Sequence, residues 1–133
     1  MHIYSQIKDY VVNLPILREW DEARALFTRI AGGEQPHWLM PVWACESVGG
    51  TEGDALPACA AIACAHVGIL LVDDLLDADP RGEHQRIGMP AAANLACAFQ
   101  AASLQSLACA GLPTEARFAS LDSLNAMFLS TAL

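Results

Sequence analysis

Basic side chains and alternating apolar stretches are scarce in this sequence. Seven of the 133 residues are Lys or Arg against 15 Asp or Glu, which gives a formal net charge of −8. A nucleic-acid interface needs a basic face that displaces counterions from phosphates, so this composition argues against a nucleic acid as partner. Strands need β-branched or alternating runs, and because these are short here a β-sheet is not expected.

The cysteines lack the spacing of a disulfide framework or a zinc site. Their number is odd, no C-x-x-C occurs, and most stand beside alanines in apolar runs. We therefore predict small buried hydrophobic residues in a reducing compartment. The N-terminus, MHIYSQIKDYVV, also lacks the basic-then-apolar pattern of a signal peptide, and we expect a cytoplasmic protein. The cysteines are Cys45, Cys59, Cys64, Cys97 and Cys109.

Charge is absent from residues 55–72 and 87–114, and length alone would permit a membrane span in each. The first segment, however, contains Pro57 and His66 and continues directly into two aspartates. The second is rich in Ala, Asn, Gln and Ser, which gain little in lipid. We therefore predict central helices of a helical protein and no membrane span.

The chain is 54% hydrophobic with few aromatics, and its apolar periodicity predicts an all-α fold of about five helices in one domain. Residues 1–13 carry no clear signal, and 79–90 read as a loop because of their Pro and Gly content. The apolar pattern is still running at the last residue, so residues 1–133 are expected to be the N-terminal part of a larger helical domain. The predicted helices span 14–31, 38–48, 54–77 with Asp54 as N-cap, 91–110, and 113 to the end.

The segment DDLLD carries the chemistry. Asp73 and Asp77 are four residues apart and share a helix face, with Asp74 offset to the side. Like charges at a helix C-terminus oppose the macrodipole, which favours a cationic ligand over a merely solvated acidic end. Hard oxygen ligands at this spacing suit Mg²⁺, which completes its shell with water and phosphate oxygens. His66 lies two turns earlier on the same face, and we predict a core histidine there rather than a ligand.

The stretch AHVGILLVDDLLDADPRGEHQRIGMPAAANLA resembles the polyprenyl synthetase (trans-isoprenyl diphosphate synthase) family around its first aspartate-rich motif. Shared features are a histidine seven residues before D-D-x-x-D, a loop with an arginine, and G-x-P before an Ala-rich helix. Upstream, GGEQPHWLMPVWACESVGG is similar to the family segment that begins G-G-K-R-x-R-P. The resemblance covers about residues 14–112 and implies a truncated, isoprenoid-synthase-like helical bundle that uses Mg²⁺. Because an apolar half-pocket would self-associate, we also expect a homodimer.

The resemblance implies a role for each matching position. Asp73 and Asp77 correspond to metal ligands, and Asp74 to their supporting carboxylate, so these three form the expected catalytic set. Arg86 corresponds to an arginine that holds the allylic prenyl diphosphate. His37 stands where the family has an arginine that grips the second substrate, isopentenyl diphosphate.

Several positions depart from the family. Ile87 replaces a second arginine, and Glu34 and Gln35 replace Lys and Arg beside His37. A carboxylate repels a diphosphate, so isopentenyl diphosphate is doubtful as a substrate. The second aspartate-rich motif is also absent, and this chain alone is expected to be inactive in prenyl transfer. The alternatives are a terpene-synthase-like enzyme that ionises a prenyl diphosphate without isopentenyl addition, a non-catalytic subunit of a prenyltransferase complex, and a small membrane protein.

In the family, residues four and five places before the first aspartate form the floor of the prenyl pocket. Those places hold Ile69 and Gly68 here, with Ala65 one turn further down. None of the three is aromatic, so the resemblance implies a deep pocket for a geranylgeranyl-sized or longer chain.

Overall fold

The computed structural model describes residues 2–132, and every regular element within that range is a helix. The all-α prediction is confirmed, but there are seven α-helices rather than about five. The predicted final helix extends to Leu133, which lies outside the described residues. The helices are α1 (Ile3–Val12), α2 (Asp21–Ile30), α3 (Met40–Ser47), α4 (Glu52–Leu76), α5 (His84–Ile87), α6 (Met89–Ala108) and α7 (Thr114–Ala132), with a 3₁₀ turn (Pro36–Leu39) before α3.

Near the N-terminus one predicted helix boundary is wrong, and one helix had not been predicted. The helix expected at 14–31 begins only at Asp21, because residues 14–20 form successive turns and the acidic Asp21 and Glu22 favour the helix start that follows them. The segment 1–13, for which no element was predicted, forms α1. Its apolar residues recur every three or four positions and are buried against the rest of the bundle. They are Ile3, Tyr4, Ile7 and Val11.

The start of α4 is set by a capping box and not by Asp54 alone. Thr51 is the N-cap, and its hydroxyl accepts the backbone N–H of Asp54 at 3.3 Å. The Asp54 carboxylate accepts the N–H of Thr51 at 2.9 Å in return. The Thr51 hydroxyl also donates to Oδ2 of Asp54 at 2.6 Å, and this bond, followed by the one from the Thr51 N–H, lowers the pKa of Asp54. Two donors that the helix leaves without partners are thereby satisfied, which explains why the helix begins three residues earlier than predicted.

The central helix α4 is buried on several sides, and its most extensive partner is α6. The two helices approach closely at Gly68, where an added Cβ would lie 3.2 Å from the carbonyl oxygen of Ala96 and 3.2 Å from Cγ of Gln100. Near the other end of α6, the buried Ser106 hydroxyl donates to the carbonyl of Pro57 at 2.6 Å. The volume beside Gly68 is therefore filled by α6, and the expectation that Gly68 opens a pocket is wrong.

The predicted loop at 79–90 is interrupted by the short helix α5, and α6 already begins at Met89. Gly88 separates these helices with a φ of +88°, a conformation that favours glycine. The reversal from α5 into α6 therefore depends on that residue.

All five cysteines are free. Cys59 and Cys64 are buried as predicted, and burial raises the pKa of the Cys59 thiol to about 11. Cys97 and Cys109 are exposed, contrary to the expectation of buried residues. Cys97 lies on the side of α6 that faces away from α4, and Cys109 lies at the C-terminal end of α6.

Among the described helices, α4 is the one whose length and composition would permit a membrane span. In its most apolar window 56% of the residues are buried inside the bundle. The core helix of a soluble protein has the same two properties, so this finding is weak support for a span.

Gly68→Val is expected to lower the free energy of unfolding by about 1–3 kcal/mol, because the new side chain meets the backbone of α6. Gly53→Val is the matched control. It places the same side chain in an exposed turn of α4, where little crowds it, and should be close to neutral. Urea denaturation of both variants measures the difference, and equal stabilities would contradict the close approach at Gly68.

Candidate functional site

The three aspartates of DDLLD lie at the C-terminal end of α4 and are not equivalent. Asp73 and Asp77 are exposed, and the N–H of Asp77 donates to the carbonyl of Asp73 at 2.9 Å, so the two stand one helical turn apart. Asp77 is the C-cap residue. Asp74 is half-buried and faces the loop that follows. The pair Asp73 and Asp77 is therefore open to a ligand, whereas Asp74 is part of the packing.

Two small cavities adjoin along one face of α4. Asp73 lines the first, of about 200 Å³, and Ile69 lines both it and a second cavity of about 180 Å³. Their combined volume reaches the lower end of the ~300–1,000 Å³ typical of small-molecule pockets. We call these two cavities, which meet at Ile69, the α4–α7 groove; the part beside Asp73 is of mixed polarity and the part beside Ala65 is apolar. Its lining residues are Ile62, Ala65, His66, Ile69, Val72, Asp73 and Leu76 from α4, Met127, Phe128, Thr131 and Ala132 from α7, and His37 and Gln100.

The predicted pocket-floor residues divide between the groove and the core. Ala65 and Ile69 line the groove, whereas Gly68 faces α6. His37 is exposed and lies at the end of the groove away from Asp73, and the sequence prediction missed that residues of α7 line the groove. The signal was present, because Leu121, Leu124 and Phe128 recur at helical spacing, but nothing in that pattern identifies α6 and α4 as the helices they pack on.

His66 is held by a buried tryptophan. Nε1–H of Trp38 donates to Nδ1 of His66 at 3.2 Å, and the ring of His37 packs edge-on against His66 with centroids 4.6 Å apart. Because Nδ1 accepts this bond, neutral His66 carries its proton on Nε2. Burial first, and then the neighbouring His37, lower the pKa of His66. His66 thus lines the groove and is held in place by its hydrogen bond to Trp38.

The loop between α4 and α5, residues 77–83, folds back on Asp74. The N–H of Asp79 donates to the carbonyl of Asp74 at 3.0 Å, and Gly82 is so close that an added Cβ would lie 2.8 Å from Cβ of Asp74 and 2.5 Å from Nδ1 of His84. Burial, followed by the charge of Asp79, raises the pKa of Asp74. The bond to Arg81 instead lowers the pKa of Asp79. The loop therefore fixes the side of α4 that carries Asp74, next to the open carboxylates of Asp73 and Asp77.

Arg86, the predicted diphosphate ligand, does not line the groove. It belongs to a separate surface cavity of about 420 Å³ formed by residues 80–86, and its Nε lies 4.0 Å from Oε2 of Glu83. Glu83 is also bound by Arg29 of α2, with Nε to Oε1 at 3.2 Å and Nη2 to Oε2 at 2.9 Å. No sequence pattern pointed to Arg29, which is 54 residues from Glu83 along the chain.

The donor set at the end of α4 fits one kind of metal site. Within residues 2–132, no group of three or more His, Cys, Asp or Glu side chains could hold a metal ion. Mg²⁺ commonly binds through one or two carboxylates together with water and substrate phosphates. Asp73 and Asp77 fit that mode and do not fit an all-protein cage.

A larger cavity, of about 590 Å³, lies between α1 and α2, away from these aspartates. Its charged residues include Lys8, Asp9, Asp21 and Arg24, and Arg24 is already paired with Asp21 at 3.6 Å. It offers neither an apolar channel nor a free cluster of one charge, so size alone does not make it the candidate site.

Comparison of the chain with protein-family models, with curated protein sequences and with solved structures finds no match in any of the three.

The lowered pKa of His66 makes stability depend on pH. The unfolded chain takes up a proton at His66 near the ordinary pKa of about 6.5, whereas the folded chain resists it. The contribution of neutral His66 to the free energy of unfolding should therefore be fully present above that pH and should be lost progressively as the pH drops from 7 to 5. Thermal melts of His66→Gln, whose amide oxygen can still accept from Trp38, should show a flatter dependence. The control His2→Gln, at an exposed position, should keep the wild-type slope, and an unchanged slope in His66→Gln would contradict the assignment.

Proposed function

We propose that this chain binds an allylic prenyl diphosphate, with Mg²⁺ and the diphosphate at Asp73 and Asp77 and the hydrocarbon along the α4–α7 groove. One observation carries the proposal: Asp73 lines a cavity of mixed polarity that meets, at Ile69, a second and apolar cavity lined by Ala65. A charged head and a single apolar tail match that arrangement. The resemblance to polyprenyl synthetases supports the same ligand class.

The groove supplies binding energy to the tail. Each buried methylene contributes about 0.8 kcal/mol, so an isoprenoid chain along α4 gains affinity with length until the groove ends. The cavity beside Ala65 is lined mainly by hydrocarbon and would shield the tail from water, whereas the cavity beside Asp73 also presents Gln100 and Thr131 to the head. When bound at Asp73 and Asp77, Mg²⁺ would neutralise the negative charge that builds on the departing diphosphate.

The residues expected to bind isopentenyl diphosphate offer it few positive charges, which favours a terpene-synthase-like reaction as a second candidate. Glu34 is exposed and lies 3.9 Å from His2. His37, the predicted ligand of isopentenyl diphosphate, packs its ring on His66 and Trp38 at the apolar end of the groove. These residues do not offer a cluster of cations, so ionisation without isopentenyl addition fits them better than condensation. If the chain is instead a non-catalytic subunit of a prenyltransferase complex, we expect neither ionisation of a prenyl diphosphate nor prenyl transfer.

Asp73→Asn and Asp77→Asn are expected to weaken Mg²⁺-dependent binding of a prenyl diphosphate by at least about tenfold, because each removes a charged oxygen ligand. Asp74→Ala should have a smaller effect on affinity, since its carboxylate faces the loop. The matched control is Asp122→Asn, an exposed position on α7 outside the groove. Calorimetry with and without Mg²⁺ measures the affinities, and unchanged binding in both outer variants would refute the metal assignment.

Ile69→Trp is expected to shift the preferred ligand towards shorter prenyl chains, because Ile69 lines both parts of the groove and a larger ring would close the passage. Affinity for a geranylgeranyl chain should fall more than affinity for a geranyl chain. Leu129→Trp, which adds the same ring at an exposed position of α7, serves as control. Circular dichroism checks that both variants fold, and an unchanged chain-length preference in folded Ile69→Trp would exclude the groove as the tail site.

A further inference from the structure

We propose that Arg29 and Arg86 form a phosphate-binding pair, and that Glu83 occupies it in the ligand-free chain. The ligand class is a phosphate monoester or a diphosphate, either free or as a lipid headgroup. This goes beyond the proposed function, because the pair lies outside the α4–α7 groove and needs no metal ion.

The first observation is that two guanidinium groups flank one carboxylate. Glu83 receives a bidentate pair of hydrogen bonds from Arg29, at 3.2 and 2.9 Å, while Nε of Arg86 stands 4.0 Å from the same Oε2. The side chain of Glu83 is only 18% exposed, whereas that of Arg86 is 67% exposed. The carboxylate is therefore enclosed between an inner arginine on α2 and an outer one on α5.

The second observation concerns unused donors. A guanidinium has five N–H donors, and Arg29 directs two of them to Glu83. The separation of Arg86 from Glu83 exceeds hydrogen-bond distance, so Arg86 retains donors for a ligand. Carboxylate and phosphate oxygens accept from arginine in the same bidentate way, but a phosphate carries more charge and a third oxygen. Glu83 thus has the geometry of a phosphate substitute.

The third observation is space beside the outer arginine. The cavity of about 420 Å³ next to Arg86 is also lined by Arg81 and Glu83. Arg81 in this cavity is paired with Asp79 at 3.3 Å. Nε of Arg86, in contrast, is 4.0 Å from the carboxylate of Glu83, and Arg29 reaches the same carboxylate from α2. A phosphate entering this cavity would contact Arg86 first and would repel the Glu83 carboxylate. Displacement of Glu83 then frees both Arg29 donors for the same anion.

The arrangement predicts effects of opposite sign for the two partners of one ion pair. Arg29→Gln and Arg86→Gln should weaken phosphate binding by about tenfold or more, since each removes charge-assisted hydrogen bonds. Glu83→Gln should strengthen it about tenfold, because the competing charge is gone while the side-chain shape is kept. If the Arg29–Glu83 pair merely clamped the loop to α2, both substitutions would disturb the loop and lower affinity together.

Isothermal titration of the whole chain with inorganic diphosphate in the presence of EDTA tests the site, and flotation with vesicles that contain phosphatidate tests the lipid source. Arg24→Gln is the matched control, because Arg24 is also on α2 but pairs with Asp21. Arg29-dependent binding in either arm, with the gain in Glu83→Gln, supports the site and identifies its source. Absence of binding in both arms, or loss of affinity in Glu83→Gln, overturns it.

Folding of each variant is checked by circular dichroism. If Glu83→Gln does not fold, Arg86→Gln decides, because its exposed side chain can be replaced with little effect on stability. Unchanged diphosphate affinity in that variant would overturn the proposal. Prenyl diphosphate binding with Mg²⁺ is measured separately. If the chain does not bind prenyl diphosphate with Mg²⁺ but binds inorganic diphosphate in an Arg29-dependent way, only the proposed function is overturned. If it binds prenyl diphosphate but shows no Arg29-dependent diphosphate binding, only this site is overturned.

Discussion

The close contact between α4 and α6 is the constraint on which the rest of the structure depends. It needs a residue without a side chain at Gly68 and a hydroxyl at Ser106 that satisfies the carbonyl of Pro57. Because α6 covers one face of α4, the aspartates and the groove occupy another, and α7, which packs mainly on α6, contributes residues to the groove lining. A side chain that forced the two helices apart would therefore change the groove and the orientation of Asp73 together.

Local chemistry explains which predictions from sequence were possible. The shared face of Asp73 and Asp77 follows from helical spacing alone, and the uncharged run before them indicates a central helix. Helix starts were harder, since both Thr51 and Asp54 are good capping residues and their reciprocal bonds decide between them. The missed α1 had a visible apolar repeat, but its N-cap residue, His2, makes no side-chain capping hydrogen bond.

Contacts between distant segments could not be predicted in the same way. Nothing in the sequence pairs Trp38 with His66, or Arg29 with Glu83, because each pair is joined only when the helices pack. The same holds for Gly68. Family resemblance assigns it to an open pocket, whereas in the fold the backbone of α6 fills that space. Side-chain direction on a helix follows from sequence, but the identity of the neighbour on each side does not.

The order of contacts along the chain has a consequence for how the bundle assembles. The central helices α4 and α6 are separated only by a short loop and α5, so their contact closes a small loop and can form early. Helix α1 packs on α4 from much further away in the chain and gains its position only after α4 is in place. We therefore expect a folding nucleus in α4–α6, with α1 docking late and opening first in native-state hydrogen exchange.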